Sequence, residues 1–140
     1  MAAPRHRVSI PSRTSELARV RRCVVRWATE AGLTERAAHA LQLAVDEAVA
    51  NAIEHGYKGR PDGRVIVEAT LGPDTLTVAV RHRGQAYDPL RQGATPLDQT
   101  IAERRLHGYG LHLMRRLVDE LAFGTARSGA SEVRLTLHRR

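Results

Sequence analysis

Glu47, Asn51 and Glu54 are the residues whose types and spacing best suit chemistry in this chain. On a helix, with Glu47 set at zero, Asn51 falls at about 40° and Glu54 at about −20°, so the three share one stripe. Leu41, Leu43, Ala44, Val45, Ala48, Val49, Ala52 and Ile53 make the rest of that segment apolar. A polar stripe is ordinarily a solvated helix face. A helix that is apolar around most of its circumference should instead be largely buried, and an amide and a carboxylate buried with it need partners. A divalent cation and a phosphate would provide them. An asparagine oxygen is a hard ligand suited to magnesium, which takes few protein ligands beside phosphate oxygens and water. A carboxylate one turn away can accept the proton of an attacking hydroxyl or water.

A second feature follows downstream. His107-Gly108-Tyr109-Gly110-Leu111 leads into an apolar-periodic segment. Glycines there let the backbone approach a ligand, and the first amides of a helix favour an anion such as phosphate. Alone, such a pair of glycines is weak, because glycine also ends ordinary loops. It gains weight behind a long polar stretch and beside the Glu47/Asn51 stripe.

These residues need elements to position them. Val8-Ser9-Ile10 reads as a short strand. A first helix is expected from Thr14-Ser15-Glu16, whose hydroxyls suit a cap, with Leu17, Val20, Val24, Trp27 and Ala31 recurring at helical spacing until Gly32. Thr34 is placed to cap a second helix from about Glu35 to His55, stopped by Gly56; Lys58 to Arg64 is a turn-rich loop. Val65, Val67, Ala69 and Leu71 alternate, Gly72-Pro73-Asp74 turns the chain, and Leu76, Val78 and Val80 alternate on the return, which predicts a hairpin. A polar irregular stretch spans about Asp88 to His107. A third helix is expected from Gly110 to about Leu121, with Leu111, Met114, Leu117, Val118 and Leu121 inward, then strands around Leu121 to Thr125 and through Val133, Leu135 and Leu137. The order predicts one domain over residues 1–140, an α+β two-layer sandwich of helices on one face of a mostly antiparallel mixed sheet.

Composition narrows the function classes. The 140 residues carry a formal charge of +7, nearly all of it arginine, with Lys58 the one lysine. The arginines are spread along the chain and aromatics are few, which argues against direct nucleic-acid binding and suits an acidic partner or a phosphate ligand. Cys23 is alone, so no disulfide is expected, and the histidines show no metal-ligand spacing. No signal-like or membrane-spanning run is present, and the expected location is the cytoplasm. Ser12, Ser15 and Ser128 lie in cap or turn contexts, and Asp46 and His55 read as structural.

Glu47-Ala48-Val49-Ala50-Asn51-Ala52-Ile53-Glu54-His55-Gly56-Tyr57 resembles the N-box of the GHKL (histidine-kinase-like) ATPases, in the version found in the anti-sigma-factor serine/threonine kinases. His107-Gly108-Tyr109-Gly110-Leu111-His112-Leu113-Met114-Arg115 resembles their second glycine box, and Leu117-Val118-Asp119-Glu120 continues the pattern. The resemblance covers nearly the whole chain and implies a Bergerat-type ATP-binding fold with ATP and Mg2+ as ligands. It implies that Asn51 binds magnesium and nucleotide, that Glu47 is the catalytic base for a substrate serine, and that Gly108, Gly110 and Leu111 lie at the phosphates. Pro89 to His107 would be the ATP lid, with Arg104 or Arg105 reaching the γ-phosphate, and Ser131 would lie near adenine. The implied partners are a sigma factor and a STAS-type antagonist, with a homodimer possible.

One part of the pattern departs. The family's first glycine box, Asp-x-Gly-x-Gly, stands here as His82-Arg83-Gly84-Gln85-Ala86. The resemblance still places His82 and Gly84 at the nucleotide. A neutral histidine offers one acceptor nitrogen in place of the aspartate that meets the adenine amino group, whereas a protonated one offers none. The expected function is therefore an ATP-binding anti-sigma regulator with serine kinase activity. The alternative is a catalytically inactive relative of the same fold that regulates by binding a partner.

Overall fold

The computed structural model describes residues 5–84 and 106–139, with the backbone alone described for 106–111. Strand β1 spans Arg5–Pro11, β2 Arg64–Leu71, β3 Thr75–His82, β4 Glu120–Thr125 and β5 Ser131–His138; helix α1 spans Leu17–Glu30, α2 Glu35–Asn51 and α3 Leu106–Leu117. The strands form one sheet in the order β1-β2-β3-β5-β4. All four pairings are antiparallel. Together with the helices this is the expected α+β sandwich.

Alternation in each strand decides which face the helices cover. Val8, Val67, Val80, Val133 and Phe123 are register partners in one row across the sheet, and the same face carries Ile10, Val65, Leu76, Val78 and Leu135. Helix α1 meets that core with Val20, Val24 and Trp27 of the expected stripe, and with Ala28, which the spacing does not single out. Removing each such side chain from water contributes about 1.5–3 kcal/mol, so the two layers are held mainly by this row and the helices over it.

The helix ends depart from expectation in part. Thr34 caps α2 as its type suggests, its hydroxyl accepting from the Ala37 amide at 3.1 Å. Thr14 and Ser15 do not cap α1. They sit in a 3-10 turn, Thr14–Glu16, and no side chain caps either that turn or α1. The chain enters directly from β1, and the Glu16 amide bonds the Arg13 carbonyl instead. Helix α2 does not stop at Asn51 but widens into one π-helical turn, Ala52–Gly56. Such turns often accompany functional sites.

The third helix is the larger correction. It begins at Leu106 and ends at Leu117, so it starts and stops about one turn before the predicted Gly110–Leu121 span. Gly108 and Gly110 therefore lie inside its first turns rather than in a loop ahead of it. Each glycine costs a helix only about 1 kcal/mol relative to alanine, which a segment packed on α2 can absorb. At the far end, Glu120 and Leu121 are taken by pairing with Thr136 and Leu135 of β5.

Candidate functional site

The Asn51 amide sits where α2, α3 and the sheet converge. Asn51 is only 7% exposed, although simple helical geometry puts it opposite the core stripe. The reason is that α2 is covered on two sides, by the sheet through Val45 and Val49 and by α3, which carries the fully buried Met114. Among the described residues the amide has no hydrogen-bond partner. It lines a narrow cleft with Ala48, Ala52, Val80, Met114, Phe123 and Val133 as apolar walls. His82, Ser131 and Glu132 complete the lining. Mostly apolar walls with a few polar groups are the usual composition of a small-molecule site.

Glu47 lies one turn before Asn51 and is half-buried, outside the lining of the cleft. Burial, and then the neighbouring charges of Asp46 and Glu54, hold its carboxyl above the ordinary glutamate value. A carboxylate with a raised pKa is a better proton acceptor than an ordinary one. Glu54, the third residue of the stripe, is exposed. Asp46 is held structurally, its Oδ2 accepting from Arg21 at 2.7 Å and from Gln42 at 2.8 Å.

Strand pairing places Ser131 directly opposite His82, so two positions 49 apart in sequence become neighbours. His82 is 8% exposed, and burial pushes its imidazole below the ordinary histidine value, so the ring is neutral at pH 7. Its Nδ1 is buried without a hydrogen-bond partner among the described residues. The ring rests on Gly56, where an added Cβ would lie 2.5 Å from that nitrogen. Tyr57 meets the ring edge-on, with centroids 5.8 Å apart. The Tyr57 hydroxyl donates to the Arg64 carbonyl at 2.6 Å and accepts from the Arg83 amide at 2.9 Å. A Cβ on Gly84 would collide with the Gly56 carbonyl, so Gly84 closes the same packing from the other side.

Of the predicted site residues, Asn51, His82 and Ser131 share the cleft, Gly84 packs on the Gly56 carbonyl, and Glu47 stands one turn away on α2. Gly108, Gly110 and Leu111 lie on the backbone of α3, which packs against α2. Arg104, Arg105 and the lid from Pro89 to 105 lie outside the described residues, as does Ala86. The sequence reading missed Gly56, taken as a helix stop. It also missed Glu132, a buried carboxylate at the cleft that needs the β3–β5 register to be found. Glu132 accepts from Arg81 and Arg134, each at 2.5 Å. Burial pushes its carboxyl upward, but the hydrogen bonds and charges of the two arginines outweigh this and leave it below the ordinary value.

The donor set is suited to a nucleotide with magnesium. A buried amide without a partner faces a largely apolar cleft, and among the described residues no cluster of three or more His, Cys, Asp or Glu could hold a metal by itself. An ion here would be held by Asn51 and by phosphate oxygens. Among the described residues no helix is long and apolar enough to cross a membrane.

Comparison with known proteins agrees with this geometry. The model of the histidine kinase-like ATPase domain matches residues 10–137. An anti-sigma F factor of Clostridium beijerinckii is 32% identical over 66% of this chain and 65% of its own length. A serine-protein kinase RsbW of Listeria monocytogenes is 34% identical over 67% of this chain and 62% of its own. An anti-sigma F factor of Bacillus subtilis is 30% identical over 70% and 67%. The aligned segment thus spans about two thirds or less of several of these relatives. A crystal structure of the RsbU and RsbW domains of a Mycobacterium tuberculosis protein superposes with a TM-score of 0.68 at 23% identity, covering 98% of this chain and 33% of that one.

Proposed function

The chain belongs to the histidine kinase-like ATPase family, and from that premise we propose that it is an anti-sigma regulator that binds ATP with magnesium and phosphorylates a serine on a STAS-type antagonist. A sigma factor is its second partner. The observation that carries this reading is the Asn51 amide, buried and without a partner at the cleft, with the raised carboxyl of Glu47 one turn away. Relatives named anti-sigma F factor and serine-protein kinase RsbW support the same reading.

Asn51 would hold the ion, which would supply positive charge to the phosphates of the nucleotide. Glu47 takes the proton of the attacking serine hydroxyl. The serine oxygen bonds the γ-phosphorus, the bond to the bridging oxygen breaks, and ADP leaves. Gly108, Gly110 and Leu111 supply backbone close to the phosphates, Arg104 or Arg105 neutralises the transferred group, and His82 and Ser131 lie at the base. The test is transfer of labelled γ-phosphate to candidate STAS-type proteins. Transfer should disappear in Glu47→Gln and in Asn51→Ala, and transfer that persists in both would exclude the proposed roles.

A second reading has its own observation. The first glycine box carries His82 in place of an aspartate, and its Nδ1 faces Gly56. A chain that binds its partner without ATP turnover would tolerate this. That reading requires wild-type sigma-factor binding in both variants and no phosphate transfer by the wild type.

A further inference from the structure

The outer face of the sheet, turned away from the helices, carries a cationic groove. The register sets Ser9, Ile66, Arg81, Glu132 and Gly124 in one row across that face. At the end of these strands an open groove is lined by six arginines, Arg7, Arg64, Arg81, Arg83, Arg127 and Arg134, and by one carboxylate, Glu132.

Ion pairing does not exhaust this charge. Arg81 and Arg134 share Glu132, and Arg81 also reaches Glu68 at 3.1 Å. Arg64 is bonded to the Ser9 hydroxyl and carbonyl, both neutral. Arg7, Arg83 and Arg127 are exposed and have no acidic partner among the described residues. Six guanidiniums therefore face two carboxylates. Ile66 and Ala126 lie between them, half-buried.

An apolar floor with an arginine rim is the anatomy of a protein interface, and the guanidinium fork pairs in bidentate fashion with carboxylates. Nucleic acid fits less well. The groove offers no stacking platform, because Tyr57 is packed against Gly63 and His82 and its hydroxyl is engaged on both sides. Glu132 in the lining, and Glu68 paired with Arg81 beside it, also oppose a continuous phosphate chain. We propose that this groove docks an acidic segment of a protein partner, whose carboxylates pair with Arg64, Arg83 and Arg127 while its apolar side chains rest on Ile66 and Ala126. The groove shares His82 and Glu132 with the Asn51 cleft, but Arg64, Arg83 and Arg127 lie outside that cleft's lining, so failure of peptide docking and failure of nucleotide binding are separate outcomes.

The test uses the full chain and a fluorescent peptide of alternating glutamate and leucine, with its glutamine counterpart as control, followed by anisotropy at low and high salt. The variant reverses two exposed charges, Arg83→Glu with Arg127→Glu; Arg36→Glu on α2 is the control, and thermal unfolding is measured beside each. The glutamate peptide should bind, the glutamine peptide should not, and the double variant should weaken binding by about tenfold or more at low salt while the control leaves it unchanged. Equal binding of the two peptides, or equal affinity of wild type and double variant, would overturn the proposal. So would tighter binding of single-stranded DNA lost in the same variant, which would make the groove a nucleic-acid surface. A dimer seen by sedimentation that the double variant dissociates would make it a contact between copies, again against the proposal.

Discussion

The imidazole of His82 occupies the volume that a Cβ on Gly56 would need, with Nδ1 only 2.5 Å from that position. The residue that ends the π-helical turn of α2 and the residue that ends β3 are therefore fitted to each other. Gly84 closes over the Gly56 carbonyl in the same packing. The altered first glycine box and the end of the N-box form one structural unit.

Gly56→Ala should destabilise the fold by about 1–3 kcal/mol, as overpacking does. In a His82→Ala background the same change should cost far less, because the ring it collides with is gone. Urea unfolding of the four species gives the coupling, expected at about 1 kcal/mol or more. Strictly additive effects would show that the two residues do not share this space.

Glu47 is held above its ordinary pKa by burial and by Asp46 and Glu54, so the folded state prefers the protonated form. Its ionisation therefore lowers stability at neutral pH. Glu47→Gln should raise Tm at pH 7 by about 1–3 °C while abolishing phosphate transfer. The gain should vanish at pH values well below 4.5, where the wild-type carboxyl is protonated in both states. A Tm loss at pH 7 would assign Glu47 a structural role.

The folded His82 resists protonation because it is buried. Between its lowered folded pKa and 6.5 the unfolded chain binds a proton that the folded chain does not, so stability should fall as pH drops below 6.5. His82→Gln should flatten that part of the profile. Nucleotide affinity should decline over the same direction of pH if the neutral ring contacts the base.

Glu132 acts in a lower window. Its folded pKa is depressed by Arg81 and Arg134, so its contribution is full above 4.5 and is lost as pH falls through the folded value. Glu132→Gln should cost about 2 kcal/mol at pH 7, since Arg81 and Arg134 lose their shared carboxylate. The variant should also show a shallower loss of stability in acid. An unchanged acid limb would place that sensitivity elsewhere.

Which features could be read without coordinates follows from their range. The Val20, Val24 and Trp27 stripe, the Thr34 cap and the β2–β3 hairpin are local patterns, and each is present as expected. The Glu47/Asn51 spacing was legible too, but the burial of Asn51 was not, because it depends on α3 packing over α2. The start of α3 is not legible, because Gly108 and Gly110 signal a loop in the sequence yet are a small cost inside a packed helix. Glu132 between Arg81 and Arg134 and Ser131 opposite His82 required the β3–β5 register, a pairing of strands about fifty positions apart that no short motif encodes. Gly56 was visible only as a stop, because its fit to His82 joins two elements distant in sequence.

The most direct test of the central claim is calorimetric titration of the full chain with ATP and magnesium, with Asn51→Ala in parallel. Binding by the wild type should be lost in the variant while the variant keeps its fold. That claim is contradicted by an absence of binding at millimolar ATP, or by equal binding in the two proteins, which would remove Asn51 from the nucleotide site.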